Sequence, residues 1–259
     1  MTSTAPGTVV VDADIQPVVD GDVERRTLID PNWYAEPMLL DSLRLSAAGV
    51  YRSSTGNAQH DAYWYLLQGS GRLTLGAGPQ SSQATITAGT AVQIPAGQPW
   101  ELVADQSTWL LNFLVPAPVT PYAQVLAKPV GQVVNVSALG QQDAQAATSD
   151  RQYEVLFDAK RGSRGATMFV GFIPTSGAPE HYHLYDEICV IVRGSGTLHT
   201  TDRRQPIGVG SAFHVAPRLL HALENPNPED LWVLGVFRPE GSAAAAYYPD
   251  GRPAPNNEE

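Results

Sequence analysis

Apolar residues along this chain fall into short runs broken by Gly, Pro, Ser and Asn, and long amphipathic helical stretches are scarce. The runs at residues 63–67, 109–115, 151–158, 166–173, 187–192 and 231–237 each read as a strand. The pattern also repeats. In the first half an apolar strand passes through Gly69-Ser70-Gly71 into a new strand, and in the second half one passes through Gly194-Ser195-Gly196. Further on, Gly89 opens a strand that reaches Pro95 and ends at Trp100, while Gly210 opens one that reaches Pro217 and ends at His221. The interval from Gly to the last residue is eleven in both copies.

This plan predicts an all-β chain of two tandem β-barrels or jelly rolls. Residues 30–116 are expected to form the first barrel, 117–150 a linker and 151–240 the second barrel. Residues 241–259 are expected to be a tail that packs on the surface or frays. Within the linker, residues 116–129 are Pro-rich and 137–150 are rich in Gln and Ala, which suits a connection followed by a short helix or loop.

At 43% hydrophobic, the 259 residues can bury a sizeable core. A net charge of −10 argues against non-specific nucleic-acid binding, which needs a basic surface. The single cysteine, Cys189, rules out an intramolecular disulfide. The first residues have neither the basic nor the apolar region of a signal peptide, and no apolar run nears the ~18 residues of a membrane span. A cytoplasmic protein with a small-molecule substrate and no nucleic-acid or membrane partner is the expectation.

Against this background one constellation carries chemistry. His181, His183 and Glu187 lie at offsets of zero, two and six, all even, so on a strand their side chains share one face. His221, from another strand, supplies a third imidazole. Three imidazoles and a carboxylate suit a divalent transition metal, and burying them without one would be costly in desolvation.

These residues resemble the two motifs of the cupin family, a small jelly-roll barrel. The first motif is His-x-His, three or four residues, Glu, six residues and Gly; His181, His183, Glu187 and Gly194 stand at those spacings. The second is a Gly, a Pro, then a His with an Asn four residues on, matched by Gly210, Pro217, His221 and Asn225. The usual small residue between Pro and His is replaced by the stretch Arg218-Leu219-Leu220. With the internal repeat, the chain resembles a bicupin over roughly residues 30–240. Shifting the motifs into the first half puts Gly56, Ala58, Ala62 and Trp100 at the ligand positions, and none of these can bind a metal. His60 is nearby but has no partner imidazole at the right offset.

The resemblance implies one divalent transition metal held by His181, His183, Glu187 and His221, with Fe(II) favoured, then Mn(II), and Zn(II), Ni(II) or Cu(II) as alternatives. It implies a metal-dependent enzyme on a small organic substrate: an Fe(II) or Mn(II) dioxygenase of a hydroxy-carbonyl or catechol-like compound. Alternatives are a non-redox isomerase, cyclase, decarboxylase or hydrolase at the same site, and a non-enzymatic ligand-binding bicupin. A homodimer is expected from the same resemblance. Glu187 and Arg193 are the catalytic candidates, Arg193 because it continues the parity of the ligand strand and could hold a carboxylate. By the same parity Cys189 and Ile191 point inward. Tyr182, Tyr185 and Glu180 are assigned to the opposite face, His199 to the surface and Asn225 to the turn after His221. The face of His214 is left open.

Overall fold

The computed structural model describes residues 5–32, 37–117 and 135–257. Among these, regular structure is almost wholly antiparallel strand, with three short 3-10 turns. Four sheets make two barrels on one plan. In the first, a seven-stranded sheet runs in the order Val136–Ala138, Thr90–Ile94, His60–Gln68, Thr108–Pro116, Leu39–Leu45, Val23–Ile29 and Val18–Asp20. It packs on a four-stranded sheet of Val50–Ser53, Trp100–Ala104, Ser70–Leu75 and Ser82–Thr87. In the second, the seven-stranded sheet runs Val10–Val11, Ser211–Val215, Asp186–Arg193, Leu231–Arg238, Thr167–Ile173, Gln152–Phe157 and Gln145–Ala146. Its four-stranded partner is Ala178–His181, His221–Glu224, Ser195–Thr200 and Arg203–Gly208.

The edge strands are exchanged. Val10 pairs with Ala212 in the second barrel, and Val136 pairs with Val92 in the first. Each short segment covers a sheet edge whose backbone groups would otherwise lack partners. The barrels therefore recruit strands from outside residues 30–116 and 151–240. Where a short helix or loop was expected over 137–150, the chain forms two short strands, Val136–Ala138 and Gln145–Ala146. Segments of two or three residues are too short to show a period of two, so sequence pattern cannot find them. The Pro-rich stretch 116–129 lies, from residue 118 on, outside the described residues.

The apolar runs do not alternate with polar residues because the central strands are buried on both faces. In Asp186–Arg193, Cys189 and Ile191 point into the second barrel, while Ile188 and Val190 pack into a seam between the two seven-stranded sheets. In His60–Gln68, Trp64 and Leu66 fill the first barrel and Tyr63 and Tyr65 join the seam. Polar ties cross the same seam. Tyr63 Oη and Ser163 Oγ are 2.6 Å apart, and Arg164 pairs with Asp61 at 2.7 Å.

Candidate metal centre

The ligands come from two sheets and the loop between them. Strand Ala178–His181 pairs with His221–Glu224 so that His181 and His221 are direct neighbours, with ring centroids 4.3 Å apart. The chain then leaves the sheet before entering Asp186–Arg193, where Glu187 pairs with Val215 on one side and Phe237 on the other. His183 lies in the interval, its ring 4.8 Å from that of His181 and 5.2 Å from that of His221. All four side chains are buried. One nitrogen from each histidine lies within 4.8 Å of those of the other two.

The histidines are oriented by backbone carbonyls. Nδ1 of His181 meets Pro179 O at 2.7 Å, Nδ1 of His183 meets Ala245 O at 2.8 Å, and Nδ1 of His221 meets Leu219 O at 3.0 Å. A carbonyl can only accept, so each Nδ1 donates its proton and each Nε2 keeps a lone pair. Burial enforces the neutral state. Desolvation, with the neighbouring imidazole His221, lowers His183 to about 3; desolvation lowers His221 to about 4 and takes His181 well below its ordinary value. Three uncharged imidazoles presenting lone pairs to one point are suited to a cation and to little else.

Glu187 stands beside this cluster, its Oε2 3.8 Å from His183 Nε2. Desolvation pushes its carboxyl up to about 7, and Asp186 adds to the shift, while a bond from Cys189 and the charge of Arg151 work the other way. A divalent ion would supply the missing positive charge. The chain makes room for this carboxylate at Gly235: a Cβ there would sit 2.6 Å from Glu187 Oε1 and 2.4 Å from Phe169 Cε1. The donor set and this cradle both fit a divalent metal. The loop carrying His221 is tied to the one carrying His183 through Arg218, whose backbone N donates to His183 O at 2.7 Å. Arg218 has φ 68°, so the turn adopts the left-handed geometry that a small residue would favour, although an arginine occupies it.

Other candidates divide. Cys189 lines the cavity beside Glu187, and its thiol is pushed well above its ordinary range by burial. Arg193 does not reach the cavity. A β-bulge interrupts the pairing between Ile191 and Arg193, so Arg193 pairs with Trp232 instead of following Ile191, and its guanidinium lies exposed 4.7 Å from the Trp232 ring centre. The extra residue of a bulge inverts the facing of everything after it. Arg193 as a carboxylate anchor is thus corrected. Tyr185 is corrected the other way. Residues 182–185 leave the regular strand, parity lapses, and Tyr185 lines the cavity, stacked between His183 (4.5 Å) and Phe237 (3.9 Å). Tyr182 stacks on Tyr247 at 5.4 Å. Glu180 is exposed, and His199 meets Glu224 at the surface at 2.8 Å. His214 pairs with Ile188 on the seam side and bonds Asp186. Asn225 donates to Ile173 O and Glu229 O, fixing the turn.

Three contributors carried no sequence signal. The tail folds back over the site: Tyr247 pairs with Tyr182, Ala245 O anchors His183, and Ala243, Ala244 and Ala246 line the cavity. Arg151 lines it from the turn before Gln152–Phe157, and Phe169 from strand Thr167–Ile173. The enclosed space is about 50 Å³.

Among the described residues the first barrel brings no metal-ligating cluster to the matching positions. Its register places Ala62 opposite Ile94 as Glu187 is opposite Val215, and Trp100 opposite Ser53 as His221 is opposite His181. The counterpart of His181 is therefore Ser53, not Gly56, because the intervening loops differ in length. Tyr51, Trp64 and Trp100 cluster there, with the Trp100 centroid 4.3 Å from that of Tyr51 and 4.9 Å from that of Trp64, and line a cavity of about 480 Å³.

Comparison with known proteins follows the same division. Residues 168–237 match the cupin domain family. Auxin-binding protein 1 of Arabidopsis thaliana is 32% identical over 75 residues, which span 26% of this chain and 38% of that protein. A solved structure of a variant oxalate decarboxylase from Bacillus subtilis superposes over 93% of this chain and 80% of its own, with a TM-score of 0.71 at 14% identity. Another, of the same enzyme studied for its Mn(II) centres, gives a TM-score of 0.70 at 14% identity over the same shares. At that identity the likeness is one of fold. No helix among the described residues is long and apolar enough to cross a membrane.

Proposed function

We propose that this chain is a two-barrel cupin whose second barrel is a mononuclear metal site that turns over a small oxygenated organic substrate. The observation that carries the reading is the convergence of three neutral imidazoles, each with its Nδ1 held by a carbonyl, on an enclosed space beside a buried glutamate. His181, His183 and His221 would hold the ion through Nε2, and Glu187 would be its anionic partner. Such an ion supplies Lewis acidity and, as Fe(II) or Mn(II), access to one-electron chemistry with dioxygen.

The chain's own residues do the rest. The carbonyls of Pro179, Leu219 and Ala245 keep the imidazoles aimed and uncharged. Phe169, Phe213, Ile173 and Leu223 exclude water. Glu187, pushed up to about 7, can take or return a proton near neutral pH, where a general acid or base works best. A space of about 50 Å³ holds about two waters, which favours a short hydroxy-carbonyl compound over a catechol.

The reaction class we assign is dioxygenation at Fe(II) or Mn(II). Decarboxylation at the same site is the second reading, favoured by the shared fold with an oxalate decarboxylase studied for its Mn(II) centres. Oxygen uptake by the Fe(II)- and Mn(II)-reconstituted protein, across a panel of two- to four-carbon oxygenated acids, separates them. Uptake in step with substrate loss supports dioxygenation, and equal turnover under anaerobic conditions transfers the assignment to decarboxylation. A protein that retains no divalent metal ends both.

A further inference from the structure

The cavity beside the histidines has a positively charged wall that the metal ligands do not use. Arg151 lies at the end of the turn between Gln145–Ala146 and Gln152–Phe157, where Ser149 takes the left-handed conformation at φ 64°. Its Nε donates to Thr148 O at 3.0 Å, which fixes the plane of the guanidinium. The side chain lines the cavity, where the groups whose charge it feels include Tyr185 and Glu187. Asp150, next in sequence, bonds Ser176 instead, at 2.6 Å.

A second, independent feature points to the same ligand. Tyr185 is 7% exposed, its ring is clamped between His183 and Phe237, and its hydroxyl is buried with no hydrogen-bond partner. A buried hydroxyl without a partner is costly, and a clamped ring cannot swing to find one. The same cavity thus holds a guanidinium whose one carboxylate neighbour in the lining, Glu187, faces the histidine cluster, and a hydroxyl donor without an acceptor. An anionic acceptor entering the cavity satisfies both.

We propose that Arg151 and Tyr185 form the carboxylate subsite of this cavity, so that the substrate is a short-chain carboxylate whose other end faces the histidine cluster. This rests on the metal-site reading above for the orientation of the substrate, but not for the anion subsite itself. Guanidinium is the side chain best matched to a carboxylate, and a charge-assisted pair in a partly desolvated wall discriminates an anion from its neutral isostere. The remaining lining, including Phe213 and Val233, tolerates a short hydrocarbon stem.

The test uses propionate and its neutral isostere propanamide as probes, titrated calorimetrically into the full-length protein with and without Mn(II). In wild type, propionate should bind at least about tenfold more tightly than propanamide in both forms. Its protons should broaden when Mn(II) is present. R151Q should abolish the preference for the anion while Mn(II) still binds at one ion per chain. R151K should restore part of the preference, and Y185F should weaken propionate about threefold without touching propanamide. Circular dichroism melts of each variant identify any that fail to fold, and R151K and Y185F then carry the test. The proposal is overturned if wild type shows no saturable propionate binding, or if folded R151Q and R151K both bind it as wild type does. Absent Mn(II) binding in wild type would sink the metal-site reading alone, since the preference in the metal-free protein would still stand.

Discussion

Replacing Glu187 by Gln isolates the one proposed ligand whose protonation would govern metal binding near neutral pH. In the folded, metal-free protein the Glu187 carboxyl sits at about 7, while His183 sits at about 3 and His221 at about 4. An ion that binds the carboxylate must displace one proton below pH 7, whereas the imidazoles are already deprotonated. The ionised fraction of Glu187 falls from about 0.9 at pH 8 to about 0.01 at pH 5, so wild-type affinity for Mn(II) should fall about 100-fold across that range, approaching one decade per pH unit. E187Q should bind about 100-fold more weakly at pH 8 but hold a flat affinity down to about pH 5, so the two curves converge.

Metal-free stability has the opposite sign for this residue. A folded value raised above the ordinary 4.5 stabilises the fold below that pH, and the contribution is lost as pH rises through about 7. E187Q should therefore raise metal-free stability at pH 8 by about 3 kcal/mol and leave it nearly unchanged at pH 4. The histidines, whose values are lowered, contribute stability above 6.5 that is lost as pH falls toward their folded values. Chelator-competition titrations from pH 5 to 8 and chemical denaturation of the chelated protein measure both effects. A wild-type affinity that drops by three decades per unit below pH 6.5, or an E187Q curve with the wild-type slope, would refute the reasoning.

Other perturbations test the remaining parts of the site. His183→Ala should remove metal binding by elemental analysis yet leave the circular dichroism spectrum intact, because the second barrel has its own apolar core around Leu198, Phe213 and Leu231; global unfolding would make the metal structural. Gly235→Ala places a Cβ against Phe169 and Glu187, and should destabilise by about 1–3 kcal/mol and weaken metal binding about tenfold, with unchanged melting and affinity counting against the cradle. Truncation before residue 243 removes the carbonyl that holds His183 Nδ1 and should speed metal release to a chelator about tenfold; an unchanged release rate would show the tail to be incidental.

Much of this protein could be read before it folded. The two-barrel plan was legible because Gly-Ser-Gly turns and apolar runs recur at matched intervals, and a chain that repeats its turn chemistry repeats its sheet order. The histidines were legible because their spacing is local and their residue types have few other uses in a buried barrel wall. Facing was legible only while pairing stayed regular. Period two assigned Cys189 and Ile191 to the cavity side, then failed at the bulge before Arg193 and in the irregular stretch that carries Tyr185. What tertiary structure alone decided is what comes from afar: Arg151, the tail carbonyl of Ala245, the space at Gly235 and the exchanged edge strands. A chain's local pattern records which face a residue prefers, but not which distant segment will close over it, because that depends on how whole sheets twist and pack. The candidate ligands were therefore written in the sequence, whereas the cavity beside them was made only when remote segments met.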